Sequence, residues 1–294
     1  MNSWMKKIDD RTLISQINIP GTHDSCTYRV QFSFLAKCQS LTITEQLNCG
    51  IRFLDIRVEK DGNRLKLVHD IADCKTPEKP RKNLYLDAVL NDCKSFLSQN
   101  PSETILLSYK RDDGANQEET FDAFFEKYLE KDAIWYKENR VPTLGEVRGK
   151  IVLLNRDNID KSNEKYTDFN TGLNLSTWIY QKDNIERIYE VAEHLNREGT
   201  ITGKTLIIQD LYGLTPQKKW SLAAAPFIEN PPEANDILIT FFSCGSLLYN
   251  PKRSANYINK KLEGKTLKKA KKYGWIIMDY PTEKFIKEII NSNF

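Results

Sequence analysis

Three histidines stand in the chain, His23, His69 and His194. Two of them follow short β-type runs, 16-QINIPGT-22 before His23 and 65-LKLVH-69 ending at His69, and a third run, 52-RFLDIRV-58, carries Asp55 and Arg57. Two imidazoles flanking one guanidinium can work on a phosphate ester. A neutral imidazole takes a proton from the attacking hydroxyl, and a protonated one gives a proton to the leaving oxygen. The arginine binds the phosphate and stabilises the charge that develops on it. The same residues also fit two structural histidines bonded to backbone groups, and spacing alone does not separate the two readings. His194 falls in a charged segment, 182–198, that reads as a helix, and it is expected to face solvent.

Such side chains must be brought together by the elements that carry them. Eight short aliphatic or β-branched runs recur along the chain: 16–22, 52–58, 65–69, 105–110, 150–155, 205–210, 237–242 and 275–280. Several are continuously apolar, as in strands buried on both faces. Amphipathic helices are expected at 84–99, 117–131, 182–198, 253–273 and 282–292, with Pro101, Pro142 and Gly199 outside them. The alternation of β and α predicts a parallel sheet wrapped by helices, and eight strands favour a closed α/β barrel of the TIM type over residues 1–294 as a single domain. A doubly wound open sheet is the fold alternative, but its GxGxxG nucleotide loop is absent. One connection, 59-EKDGNR-64, is too short for a helix and reads as a tight hairpin turn, with paired residue numbers summing to about 123–125. That register brings His69 level with Asp55 and Arg57 and makes the barrel irregular there.

In a barrel of this type chemistry sits at the carboxyl ends of the strands. Read in order, those ends give His23, Asp55 with Arg57, His69, Lys110, Arg156, Asp210 and Asp279; the seventh run ends at Ser243. Charged groups on buried strands are costly unless paired or functional.

Composition bounds the rest. Of 294 residues, 40% are hydrophobic, enough for a large core, and 28% are charged with both signs mixed, which is not a disordered composition. A net charge of +3 is too small to argue for nucleic acid. No stretch approaches the ~18 apolar residues of a membrane span, and the first residues show no apolar leader core. The expectation is a secreted protein whose leader is absent from this chain, or a cytosolic one. The six cysteines form no zinc-like spacing and are expected to be free buried thiols, with disulfides as the alternative in a secreted protein.

At 18-NIPGTHDSCT-27 and 45-EQLNCGIRFLDIRVEKDGNRLKLVHD-70 the sequence resembles the bacterial phosphatidylinositol-specific phospholipase C family. Weaker similarities follow in family order at 106-LLSYKRD-112, 142-PTLGEVRGKIVLLNR-156, 208-IQDLYG-213 and 276-IIMDYP-281. The resemblance implies an irregular α/β barrel that cleaves phosphatidylinositol to diacylglycerol and inositol 1,2-cyclic phosphate. By position it makes His23 the general base, His69 the general acid and Arg57 the phosphate-binding arginine. It makes Asp279 the carboxylate that orients His23, and Asp24 the support of the arginine and leaving group. Lys110, Arg156 and Asp210 would bind inositol hydroxyls, and Tyr212 would lie against the ring. Calcium-dependent relatives carry a carboxylate where Arg57 stands, so the resemblance implies metal-independent turnover without cofactor, by a monomer that meets its lipid at a membrane surface. Cys26 stands where the family often has glycine.

Three segments are expected to form the lipid-facing rim or else to pack beneath their own loops: Phe32–Leu35, Trp220–Phe227 and Leu247–Tyr249. The run 260-KKLEGKTLKKAKK-272 holds seven lysines and reads as a solvated helix face or as an attractor of anionic lipid. Three competing readings are a glycosylated inositol-lipid anchor as substrate, a metal-dependent glycerophosphodiesterase, and a non-catalytic inositol-lipid-binding protein. The glycerophosphodiesterase expects a Glu-x-Asp pair that Leu54-Asp55-Ile56-Arg57 does not supply, and a non-catalytic protein would be expected to lose one of His23, Arg57 and His69.

Overall fold

Runs of Val, Ile, Leu and Phe with no polar alternation can only be satisfied between two covered faces, and this chain has several. In the computed structural model they form twelve strands, and the structure describes all residues except 113–116, 160–161, 179, 197, 234–235 and 246–247, as well as the side chains of 117–118. The strands are β1 (Ile19–Thr22), β2 (Phe53–Asp61), β3 (Arg64–His69), β4 (Ala72–Asp73), β5 (Ile105–Arg111), β6 (Trp135–Tyr136), β7 (Ile151–Asn155), β8 (Leu173–Asn174), β9 (Glu190–Leu195), β10 (Ile201–Gln209), β11 (Ile237–Phe241) and β12 (Trp275–Met278). The hydrogen-bonded order is β6-β7-β5-β2-β1-β12-β11-β10-β9 with β8 on β7. Nine of them, β1, β2, β5, β6, β7, β8, β10, β11 and β12, make parallel pairings, with the two-residue β6 and β8 both on β7, and form an irregular TIM-type α/β barrel. Between β8 and β10 the described residues show no backbone ladder; β9, antiparallel to β10, lies there instead. Side chains span that seam: Thr177 Oγ1 donates to Glu193 O, and Asn139 Nδ2 donates to Leu195 O at 2.8 Å.

The apolar positions of β2, β5, β7 and β12 are all fully buried, which gives the barrel a dry core. Gly21 of β1 is part of that packing. A Cβ there would lie 2.6 Å from Ile277 Cδ1 and 2.8 Å from Phe53 Cβ, so only glycine lets the three strands approach.

Two expectations need correction. The run 65–69 is not a barrel strand but the return arm of a hairpin, β3, antiparallel to β2, and the parallel sheet continues past β7 through the two-residue β6 and β8. The hairpin register is as read, Val58 with Leu67 through Asp61 with Arg64, a constant sum of 125. Gly62 makes the turn at φ +60°. The segment 182–198 is not a helix. It forms a short 3₁₀ turn, Ile185–Arg187, and then β9, in which Val191 and Glu193 are exposed while Ala192 and His194 are buried. That period of two is a strand's, and pairing with β10 overrides the helical propensity. His194 is accordingly 1% exposed rather than solvent-facing. Its Nδ1 lies 3.0 Å from Thr202 Oγ1, and burial pushes its pKa down to about 4.

The helices expected at 84–99 and 282–292 are present as Leu86–Gln99 and Glu283–Asn291, and 117–131 as Gln117–Phe124 continued by a π-turn, Phe125–Leu129. The helix expected over 253–273 spans Pro251–Leu262 and stops before Gly264, so most of the lysine run is irregular. It precedes β12 and lies at the amino end of the barrel, with Ala270 N bonded to Ser292 O, away from the carboxyl ends of the strands. All six cysteines are free, five of them buried.

Candidate active site

The carboxyl ends of the parallel strands open into a cavity of 660 Å³. Its walls include His23, Arg57, His69, Lys110, Arg156, Asp210, Tyr212 and Asp279, so eight of the nine expected site residues face one space. The ninth, Asp24, lies beneath the floor and is 2% exposed. Ser243, the unremarkable end of the seventh run, also lines the cavity.

The turn after β1 sets the geometry. Asp24 is in the left-handed region at φ +43°, a conformation that persists only when its surroundings hold it. They do so on several sides. Gln39 Nε2 donates to His23 O at 2.7 Å and to Met278 O at 2.9 Å, Ser25 N donates to Asp55 O at 3.0 Å, and Asp24 N donates to Asp55 Oδ2 at 3.2 Å. The turn thus joins β1, β2 and β12 at one level.

Asp24 then reaches three partners at once. Its Oδ1 lies 2.6 Å from Arg57 Nε, and its Oδ2 lies 3.1 Å from His23 Nε2 and 3.2 Å from His69 Nε2. The two imidazole centroids are 6.2 Å apart, with Arg57 NH2 at 3.2 Å from His23 Nε2. Each imidazole is oriented from behind. His23 Nδ1 lies 2.9 Å from Asp279 Oδ1, and His69 Nδ1 lies 2.8 Å from the carbonyl of Ala36. A carbonyl can only accept, so His69 carries its proton on Nδ1 and turns Nε2 toward the cavity.

Charge follows from these contacts. Burial alone would lower the pKa of His23, but the carboxylates of Asp24 and Asp279 outweigh it and lift the value to about 9. Burial pushes Asp279 up, against the pull of His23. Asp55 is held down, because Arg57 and Arg156 outweigh its burial, and Arg57 is held well above its ordinary value by Asp24, Asp55 and Asp112 despite burial. The cavity therefore keeps a fixed cation at its floor beside a histidine that carries its proton at neutral pH.

The outer wall is basic. Lys110 Nζ bonds Asp112 Oδ1 at 2.7 Å and lies 5.2 Å from the Tyr180 ring. Arg156 stacks 3.8 Å over Trp178 and reaches Asp55 Oδ1 at 3.5 Å. Asp210 is 8% exposed, and Tyr212, at 37%, stands at the mouth.

Sequence reading did not single out Asp112, Trp178 or the Ala36 carbonyl. Asp112 Oδ2 accepts from Asp70 N at 2.8 Å and lies 3.6 Å from Arg57 NH1, so one carboxylate ties the turn after His69 to Arg57 and Lys110. Arg57, Lys110 and nearby backbone donors hold it far below the usual carboxylate range against its burial. Its signal was the strand period: positions 110 and 112 share a face. No local pattern marks Ala36, which ends the one-turn helix Ser33–Ala36, or Trp178, which lies in a loop. Among the described residues His23, Asp24 and Cys38 present a nitrogen, an oxygen and a sulfur within 4.8 Å of one another. The guanidinium of Arg57 already occupies Asp24, so a cation there would meet a fixed positive charge.

Of the expected rim, Phe32, Phe34 and Leu35 are 64%, 72% and 47% exposed, and Leu35 also lines the cavity. In Trp220–Phe227 only Leu222 is exposed among the large apolar groups, while Phe227 is buried against Tyr189 and Phe242. Leu248 is exposed, and Leu247 lies outside the described residues.

Known proteins resemble this chain in sequence and fold. Residues 17–157 match the family described as phosphatidylinositol-specific phospholipase C, X domain. A 1-phosphatidylinositol phosphodiesterase of Listeria monocytogenes is 27% identical over 99% of this chain and 84% of its own length. One of Staphylococcus aureus strain Newman is 29% identical over 99% of this chain and 94% of its own. A solved structure of the Staphylococcus aureus phosphatidylinositol-specific phospholipase C superposes with a TM-score of 0.75 at 27% identity, covering 100% of this chain and 97% of that one. The X-domain match over residues 17–157, the relatives along the whole length and the shared barrel agree, and the chain is similar throughout to phosphatidylinositol-specific phospholipases C.

Proposed function

We propose that this protein cleaves phosphatidylinositol at the phosphodiester bond to diacylglycerol, without a metal ion, releasing diacylglycerol and inositol 1,2-cyclic phosphate. The observation that carries the reading is the single carboxylate of Asp24 in contact with Arg57 at 2.6 Å, His23 at 3.1 Å and His69 at 3.2 Å, at the base of a cavity open to solvent.

In this reading His23, in its neutral form, takes the proton of the inositol 2-hydroxyl as that oxygen attacks phosphorus. Asp279 keeps the Nδ1 proton in place and stabilises the imidazolium that results. Arg57 binds the phosphate oxygens with donors fixed by Asp24 and Asp55, and its charge stabilises the pentacoordinate transition state. His69, protonated on both nitrogens, delivers its Nε2 proton to the departing diacylglycerol oxygen, and Asp24 balances the charge of both groups. Slower opening of the cyclic ester by water uses the same pair in reversed roles. Lys110, Arg156 and Asp210 offer two donors of fixed charge and an acceptor to the ring hydroxyls, and Tyr212 covers the ring. The exposed Phe32, Phe34 and Leu35 beside the mouth support contact with a bilayer surface. The whole chain acts as one monomeric catalytic unit, exported to the membrane it works on; assaying culture medium against cell contents tests the location.

The test of the activity is phosphorus NMR with phosphatidylinositol micelles in excess EGTA, with His23→Ala beside the wild type. A cyclic phosphodiester signal from the wild type alone is expected. Activity restored only by calcium would overturn the metal-free part, and no turnover in either condition would overturn the activity.

A further inference from the structure

Lys219 is fully buried, whereas its neighbour Lys218 is exposed. It lies in the first helical turn after β10, in the helix Pro216–Lys219, which continues through a π-turn, Trp220–Ala224, into the helix Ala225–Glu229. Other buried cations here have carboxylate partners: Arg52 meets Glu103 at 2.9 Å, and Arg57 meets Asp24. Lys219 has none within ion-pair distance among the described residues. Its two hydrogen-bond acceptors are neutral, Gln209 Oε1 at 2.7 Å and the carbonyl of Leu211 at 3.1 Å. Such a buried charge is unfavourable in itself, and groups of this kind gather at functional sites.

The two acceptors flank Asp210. Gln209 Oε1 also accepts from Leu211 N at 3.1 Å, and Gln209 Nε2 donates to Phe241 O at 2.8 Å, which binds this turn to β11. The carboxylates that act on the ammonium are Asp210 and Asp279, together with the thiol of Cys244, all three in the cavity wall. Burial dominates and pushes the lysine down to about 8.

We propose that Lys219 is a positioning residue of the inositol pocket: from behind the wall it clamps residues 209–211, so that Asp210 and Tyr212 are held toward the ring. The proposal rests on the reading of Asp210 and Tyr212 as inositol-binding groups.

The test is a chemical-shift titration with myo-inositol on wild type, Lys219→Met and Lys218→Met, with thermal unfolding alongside. Lys219→Met is expected to bind inositol at least about fivefold more weakly with Tm unchanged or raised, because a buried charge has been removed; Lys218→Met is expected to match the wild type. Wild-type affinity with a lowered Tm would make Lys219 a packing residue and overturn the proposal. If Lys219→Met does not fold, Gln209→Met keeps the lysine and removes one of the two acceptors through which it clamps the turn. Weakened inositol binding then supports the proposal, and unchanged binding overturns it. Wild type that turns over lipid while Lys219→Met binds inositol normally overturns this inference alone. Wild type that neither turns over lipid nor binds inositol overturns the site reading and this inference with it.

Discussion

Asp24, His23 and Arg57 form one electrostatic unit, and most of the consequences at residue scale come from it. Truncating His23 to alanine should cost on the order of 10²–10⁴-fold in kcat/KM on phosphatidylinositol, read by phosphorus NMR. Neutralising the carboxylate behind it, Asp279→Asn, should move the His23 pKa from about 9 toward the ordinary 6.5, because a large part of the lift is removed. An NMR titration of the imidazole checks this, and an unmoved value would show that Asp24 alone sustains the shift. The same shift fixes a stability window. His23 gains its proton more readily in the folded state, so its contribution is complete below 6.5 and is lost as pH rises through about 9. Denaturant titrations at pH 6 and pH 9.5 should therefore differ more for the wild type than for His23→Ala. The proposed mechanism needs a neutral His23 together with a protonated His69, so kcat/KM should pass through a maximum with pH and fall on both sides, read from a pH–rate profile.

At the scale of elements, the site depends on a hairpin and on one close-packed glycine. The β2–β3 hairpin, closed by Gly62 at φ +60°, sets the level at which His69 faces Arg57. Gly21 lets β1 lie against Phe53 and Ile277, and this fixes the height of His23 above Asp55. Gly21→Ala should cost about 2 kcal/mol or more through overpacking, measured by chemical denaturation. A value near zero would mean that β1 has slack the structure does not show. The elements read correctly from sequence are those whose local pattern and tertiary role agree, such as the helix Glu283–Asn291 with its apolar face of Phe285, Ile286, Ile289 and Ile290. Those misread are the ones where the roles conflict. Residues 190–195 alternate in burial only because β10 lies beside them, and β8 is two residues long and has no pattern to detect.

For the whole molecule, the cavity and the exposed apolar rim lie at one end of the barrel and most of the lysine run at the other. Replacing Phe32 and Phe34 together by serine should lower binding to phosphatidylinositol-containing vesicles at least about tenfold, by loss of buried apolar area. It should leave hydrolysis of soluble inositol 1,2-cyclic phosphate within about twofold of wild type. Equal loss on both substrates would place these residues in the pocket rather than on the membrane. Neutralising the exposed Lys268 and Lys269 at the far end should change vesicle binding little by comparison, measured by vesicle sedimentation for both variants.

Which side chains gather at one end of the barrel was legible in the sequence, because charged residues that close apolar strands must converge at one end of a parallel barrel, and the hairpin turn set the sum of 125 that aligns β3 with β2. What only the tertiary structure decided is how those groups are partnered. That Asp24 serves two histidines and an arginine, that Ala36 fixes the His69 tautomer, that Asp112 ties three side chains and that Lys219 lies buried behind Asp210 all depend on segments brought together from distant parts of the chain. Residue type and period carry one-body information about burial and strand ends. Hydrogen-bond partners across the barrel are set by how the strands close, and no local pattern records that.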